Sequence, residues 1–281
     1  MLREPGQVLR AAVLGSPIAH SLSPAIHRAG YAAAGLADWE YDAHEVDAAD
    51  LPGFIAGLGR QWRGLSLTMP LKEVGATVAT TVDDVARRSA AVNTLVRRGD
   101  GGWDATNTDV VGLVRALAPH LPEGATRALV LGAGATARSS VLALAELGVT
   151  TLTVRARDTS RAADLLAWAL DLGAGIRSGS AAGLGPWVTT ADDVVVSTLP
   201  AAAGDVAAAG VPAVHHGVLL DVAYAGWPTP LAHAGREAGM SVVSGLDMLV
   251  HQAAEQFRLF TGHEAPVAAM AAAGRAALGA G

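Results

Sequence analysis

The chain has 281 residues, 51% of them apolar and 16% charged, with a formal net charge of −6. That length and composition fit two modest compact domains, or one large one, and set the chain apart from disordered sequences. The negative balance argues against a broad nucleic-acid or anionic-membrane footprint, and the absence of cysteine excludes disulfides, thiolate metal sites and cysteine nucleophiles.

Short β-branched runs alternate with longer alanine- and leucine-rich stretches, which predicts α/β architecture. The N-terminal segment carries Arg3, Glu4 and Arg10 and shows no apolar signal-peptide region. A strand is predicted at 11–14, followed by GSPIAHSLSP over 15–24 and a helix over 24–34. Ser23 suits the helix N-cap and Pro24 the first helical position. Ser21 and Ser23 would flank the helix N-terminus with two hydroxyls and offer a cradle for a carboxylate. The alternative, that Ser23 only caps its helix, stays open. Further strands are predicted at 40–45 and 64–68. The second lies in GLSLTMPLK (64–72), which holds Ser66 and Thr68, ends at a proline turn and delivers Lys72. Isolated lysines are mostly surface residues. The segment AVNT (91–94) places Asn93 ahead of a strand at 94–97, and NTD (107–109) places Asp109 at the start of a helix over 109–118. Such element ends are where α/β proteins commonly build sites. The polar stretch 98–107, with Pro119, Pro122 and Gly124 beyond the helix, is the best candidate for a domain junction.

The strand predicted at 127–131 runs straight into Gly132-Ala133-Gly134-Ala135-Thr136-Ala137, and a helix over 137–147 and a strand at 151–154 follow. This is the pattern of a dinucleotide-binding turn. Gly132 permits the tight turn, Gly134 lets a pyrophosphate approach the backbone, and Ala137 allows the helix to pack closely on the strand. At the end of the second strand, where NAD sites usually carry a carboxylate for the ribose 2′-hydroxyl, stand Ala156 and Arg157, with Arg161 a turn further on. Guanidinium groups there favour a 2′-phosphate, hence NADP. Asp158 either pairs with Arg161, caps the helix over 161–170, or weakens that preference. Strands at 194–197, 217–221 and 241–243 and a helix over 246–261 complete the pattern. The uncharged run 206–220 is too short to span a bilayer, so a soluble, cytoplasmic protein is expected. The nine histidines show no metal-ligand spacing, His215-His216 included, and no metal is expected.

Taken together, SPIAHSLSP, LTMPLK, AVNT, NTD, GAGATAR and GLDMLVHQA resemble the shikimate dehydrogenase family, in its order and with fitting gaps from Gly15 to Phe260. The resemblance implies an N-terminal α/β substrate-binding domain (1–108) and a Rossmann NADP-binding domain (109–245). The C-terminal helices (246–281) would return to complete the first domain. It implies NADPH-dependent reduction of 3-dehydroshikimate, with Lys72 and Asp109 as the catalytic pair and Ser21 and Ser23 on the substrate carboxylate. Ser66, Thr68, Asn93 and Gln252 would bind ring hydroxyls, and Tyr224 would also approach the substrate. Gly132, Gly134, Ala135, Thr136, Ala137, Arg157 and Arg161 would hold NADP, with Gly245 near the nicotinamide. The expected partner is a small molecule, not nucleic acid or membrane, and a homodimer is left open.

Two positions depart from the family pattern. Ser66 stands where many members have asparagine, so its reach is shorter. Ala156-Arg157-Asp158 replaces the usual Asn-Arg-Thr while keeping the arginine. The loop Ser197-Thr198-Leu199-Pro200 also differs. Rival readings are a quinate/shikimate dehydrogenase using NAD or both cofactors, a methylene-tetrahydrofolate dehydrogenase of similar plan, and a non-catalytic ligand sensor on the same scaffold.

Overall fold

The computed structural model describes residues 7–185 and 193–279, so Arg3 and Glu4 lie outside the described residues. The chain divides into two compact units, Met1–Asp109 with Leu249–Gly281, and Val110–Met248.

The first unit opens with β1 (Leu9–Gly15), α1 (Ser23–Ala33), β2 (Trp39–Glu45), α2 (Leu51–Ala56) and β3 (Trp62–Leu67). It continues through β4 (Thr81–Val82), α3 (Asp84–Ser89), β5 (Thr94–Arg97) and β6 (Trp103–Thr106). These strands form one mixed sheet in the order β2-β1-β3-β5-β6-β4. β1 runs parallel to β2 and β3, whereas β5 is antiparallel to both β3 and β6. β1 is buried from Ala11 to Leu14 because it lies inside the sheet with both faces covered. β2, at the sheet edge, buries Tyr41 and leaves Glu40 and Ala43 exposed. The stretch 98–107, expected to be a junction, instead turns at Gly101 (φ +96°) and returns as β6, pairing Arg97 with Trp103. Its polar residues sit in the hairpin turn and its outer face, which disguises a strand.

The second unit holds α4 (Asp109–Leu117, its first residue in unit one), β7 (Arg127–Leu131), α5 (Ala135–Glu146), β8 (Thr151–Ala156) and α6 (Thr159–Asp171). Then come β9 (Ser178–Gly183), β10 (Val194–Ser197), α7 (Gly204–Ala208), β11 (Val218–Asp221), α8 (Pro230–Glu237) and β12 (Ser241–Ser244). All six strands are parallel, in the order β12-β11-β10-β7-β8-β9. Counted from β7, this is the strand order of a dinucleotide-binding Rossmann sheet, with its switch point between β7 and β10. β10 and β11 are fully buried, as strands covered on both faces must be.

Two helices, α9 (Gly245–Thr261) and α10 (Val267–Gly279), end the chain, and from Leu249 onward they belong to the first unit. Glycines let them pack closely. A methyl group at Gly30 of α1 would sit 3.2 Å from Met270 and Phe257. One at Gly64 of β3 would overlap the ring of Phe260. α10 escaped prediction because its alanine-rich sequence has no apolar stripe, and α2, α3 and α7 because they are one or two turns long. β9 reads SGSAAG and lacks any β-branched residue.

Gly64→Ala forces the Phe260 ring out of its packing position, a cost of about 1–3 kcal/mol for overpacking. Urea unfolding of this variant should show that loss, and the double variant with Phe260→Leu should recover part of it.

Candidate active site

In the first unit the register brings four chain segments to one end of the sheet. β1 and β3 are parallel and end together, with Leu14 opposite Leu67. Thr68 donates its N–H to Leu14 O at 2.9 Å and its side chain lies against Gly15, where no larger residue fits. Antiparallel β5 begins at this end, since Leu67 N–H reaches Asn93 O at 2.7 Å. Antiparallel β6 leaves there, since Asn93 N–H reaches Thr106 O at 3.2 Å. A short 3-10 turn, Leu71–Glu73, is tied down by Val92 N–H on Lys72 O at 2.7 Å.

These constraints converge on Lys72 and Asp109. Lys72 Nζ lies 2.5 Å from Asp109 Oδ2, with the lysine side chain 17% and the aspartate 4% exposed. Asn93 Nδ2 donates to the other carboxylate oxygen, Oδ1, at 2.8 Å. Asn93 Nδ2 also faces Thr108 Oγ1 at 3.0 Å and Gln252 Oε1 at 3.2 Å. Its own Oδ1 accepts from Thr108 N at 2.8 Å and from Thr94 Oγ1 at 2.7 Å. Gln252 is delivered by α9, four residues ahead of Gln256 and on the same helical face. The pair of charges is nearly removed from water with both carboxylate oxygens satisfied, which fixes the direction of the ammonium.

At the β1 end, α1 begins one residue earlier than expected. Leu22 is the N-cap and makes no side-chain capping bond, so Ser23 is the first helical residue and does not cap. Ser21 Oγ instead accepts the Ser23 N–H at 3.3 Å. Ser23 is 5% exposed, buried at the start of α1. Ser66, 4% exposed, bonds Tyr41 at 2.6 Å and Gln256 Oε1 at 2.8 Å.

In the second unit, Gly132 follows β7 with φ +108° and donates to Arg155 O at 2.7 Å. Any side chain there would strike Thr198, whose N–H and hydroxyl both bond Leu131 O, at 2.7 and 2.9 Å. The distinctive Ser197-Thr198 pair thus closes β10 onto β7 at the switch point. Gly134 is the N-cap of α5 and supplies no side chain to the helix N–H groups, and the space a methyl would fill there is open. Ala137 is fully buried in the core. This glycine turn fits the phosphates of a dinucleotide, with free N–H donors and room for close approach. Asp158 caps α6, accepting from Ser160 N at 2.9 Å and Arg161 N at 3.4 Å. The Ser160 hydroxyl and these N–H groups hold its carboxyl below the usual range. Arg157 is exposed beside it, and Arg161 Nη2 lies 3.5 Å from Ala133 O in the glycine turn. Gly245 meets the backbone of Val222, beyond β11, too closely for any side chain. Tyr224, next along, is half-buried, and burial raises its phenol above the usual range.

Comparison with known proteins gives the family. Residues 13–95 match the family model described as the shikimate dehydrogenase substrate binding domain, and 245–273 the shikimate 5'-dehydrogenase C-terminal domain. A shikimate dehydrogenase (NADP(+)) of Moorella thermoacetica is 40% identical over 281 residues, covering 96% of this chain and 93% of the relative. The chain belongs to the shikimate dehydrogenase family. The crystal structure of the Mycobacterium tuberculosis shikimate dehydrogenase is 43% identical with TM-score 0.84, over 94% of this chain and 99% of that one. The Thermus thermophilus member, solved with NADP(H) and shikimate, is 32% identical with TM-score 0.80, covering 96% and 100%.

Against this family background, the structure groups Lys72, Asp109, Asn93 and Gln252 directly, and Ser21 with Ser23. Ser66 is joined to them only through Gln256. Sequence reading missed Tyr41, Thr94, Thr108 and Gln256. Gln256 carried a signal, since it falls one helical turn after Gln252 in a helix that is otherwise apolar on that face. A stronger signal lay in composition, because Lys72 is the only lysine among 20 basic residues. Among the described residues no group of three or more His, Cys, Asp or Glu could hold a metal ion, and no helix is long and apolar enough to cross a membrane.

Asp158→Ala should lower the melting temperature at neutral pH by removing the α6 cap. Because the folded carboxyl lies below its ordinary value of 3.8, the difference from wild type persists above that value. It vanishes as pH falls through the folded pKa, which melting curves at stepped pH would record.

Proposed function

We propose that this protein is an NADP-dependent shikimate dehydrogenase that reduces the ring ketone of 3-dehydroshikimate to shikimate, reversibly, in cytoplasmic aromatic amino acid biosynthesis. The observation that carries this reading is the Lys72–Asp109 pair, held at one sheet end beside Asn93 and Gln252 in a chain that belongs to the family. NADPH, when bound, supplies the hydride.

The chain's own residues handle the charge and the proton. Reduction builds negative charge on the ketone oxygen, and the Lys72 ammonium stabilises it and donates the proton. Asp109 keeps that ammonium aimed, because one carboxylate oxygen takes Nζ while the other is held by Asn93. Two protons of Nζ carry no hydrogen bond among the described residues, and one of them serves the substrate oxygen. Thr68, Asn93 and Gln252 bind ring hydroxyls. Ser21 and Ser23 receive the carboxylate, Ser21 through its hydroxyl proton. Tyr224 is assigned to the substrate. The N–H groups at Gly134 to Ala137 cradle the pyrophosphate and Gly245 lies at the nicotinamide. Arg157 and Arg161 bind the 2′-phosphate, since the neighbouring carboxylate of Asp158 is engaged by its helix.

Turnover of shikimate and quinate, each with NADP and NAD, tests the reading. Strong preference for shikimate with NADP is expected, and preference for quinate with NAD would replace both assignments. Lys72→Ala should lower kcat by about 10²–10⁴-fold and leave KM for shikimate largely intact. In Arg157→Gln/Arg161→Gln the KM for NADP should rise by at least about tenfold while that for NAD stays put, a loss of charge-assisted bonds.

A further inference from the structure

Behind the Lys72–Asp109 pair lies a buried chain of polar side chains, and nothing above gives a role to its members Tyr41, Thr94 and Gln256. Two backbone groups fix the direction of every hydrogen bond in it. Thr108 N–H can only donate, so the Asn93 atom it meets at 2.8 Å is Oδ1, and the Asn93 amide nitrogen must face Asp109. Asn93 C=O can only accept, so the Gln256 atom at 3.2 Å from it is Nε2. Gln256 Oε1 therefore faces Ser66.

The remaining hydroxyls have no choice. Thr94 accepts from Gln256 Nε2 at 2.9 Å and donates to Asn93 Oδ1 at 2.7 Å. Ser66 gives its one proton to Gln256 Oε1, so at the 2.6 Å contact Tyr41 is the donor. The run Tyr41, Ser66, Gln256, Thr94, Asn93, Asp109 donates throughout in one direction and ends on the carboxylate that holds Lys72. His27 is fully buried and stacks on the Tyr41 ring at 4.1 Å and 6°. Burial keeps His27 neutral, with its pKa pulled down to about 3, and raises the Tyr41 phenol above its usual range, so neither changes charge at neutral pH.

We propose that Tyr41 and Gln256 are positioning residues for the reaction. They form a one-directional hydrogen-bond rail that runs from Tyr41 of β2 to the Lys72–Asp109 pair and steadies the Asn93 amide on Asp109. The proposal rests on the functional reading above. It also assigns Ser66 a different part from that of a ring-hydroxyl donor, because its only proton is held by Gln256. Removing a rail member leaves buried partners unpaired and loosens the Thr94 bond on Asn93 Oδ1, so the Asn93 amide shifts against Asp109 without reversing.

The test uses Gln256→Met, which keeps side-chain length without polar atoms, and Tyr41→Phe, which removes one oxygen and keeps the fold even if the first variant does not. In the full-length protein, kcat for shikimate oxidation should fall by about tenfold to a hundredfold with KM within about threefold, as expected for misplacement and not for lost binding. The readout that a merely structural role would not move is the side-chain signal of isotope-labelled lysine, which Lys72 alone contributes. In both variants it should move toward its position in Asp109→Asn. Folded variants with wild-type kcat and an unmoved lysine signal would overturn the rail. A wild-type protein inactive on shikimate would overturn the functional reading instead, and the lysine signal would still decide the rail.

Discussion

The hydrogen bond from Thr108 N–H to Asn93 Oδ1 is the constraint on which the chemistry of the first unit depends. Asn93 is held by its backbone between β3 and β6, with its C=O on Leu67 and its N–H on Thr106. Its side chain therefore has one accessible orientation, and the Thr108 amide removes the remaining ambiguity of which end faces Asp109. A backbone donor cannot be reversed, whereas hydroxyls and waters can. The bond to the carboxylate that meets Lys72 inherits that polarity, and a second backbone group, Asn93 C=O, sets the glutamine that meets Ser66 in the same way. Each bond contributes only about 1 kcal/mol net, but leaving any buried member unpaired costs more, so the set is fixed as a whole.

The two units apply one rule with different sheets. In both, the site residues leave the carboxyl ends of parallel strands, where element ends converge and backbone groups remain unpaired. The second unit does so with a fully parallel sheet, and its site is mostly backbone: the Gly132 turn, the uncapped N-terminus of α5, and Thr198 closing the strand ends. Its ligand-facing surface is made by omission, since side chains at Gly132 or Gly134 would fill the turn. The first unit inserts antiparallel β5 and β6 beside β3, which brings the start of one strand and the end of another to the same edge. That arrangement gathers side chains, and its site is accordingly built of Lys72, Asn93, Asp109 and Gln252.

These differences explain what was legible in the sequence. The glycine turn was readable because its requirements are local: a strand, small residues at fixed offsets, and a helix. Lys72, Asn93 and Asp109 were readable only as an ordered set of motifs, because no local pattern distinguishes a lysine after a proline turn from a surface lysine. Asp158 was ambiguous among pairing, capping and interference until its bonds to Ser160 and Arg161 made it a cap. Ser23 misled, because an N-cap and a first helical residue differ by one position, and only the backbone at Leu22 tells them apart. Tyr41, Thr94 and Gln256 were invisible for a different reason. Each looks like an ordinary core or helix residue, and their importance arises from partners 25, 162 and 190 positions away.

The basic residues make the chemical distinction sharpest. Every one of the 20 except Lys72 is arginine. At the surface the chain uses guanidinium for ion pairs such as Arg98 with Asp100 and Asp104, and at the glycine turn for the Arg161 bond to Ala133 O. A guanidinium serves those purposes because it never gives up its proton. Beside Asp109 the same property would be disabling. The planar fork would take both carboxylate oxygens, displacing Asn93 from Oδ1, and would hold no proton that a new alkoxide can remove. An ammonium takes one oxygen, leaves the other to Asn93, and keeps two further protons to present to a substrate. The composition fits the proposed chemistry: in a chain whose other basic residues are all arginine, the single lysine stands at the position where the proposed reaction uses a transferable proton.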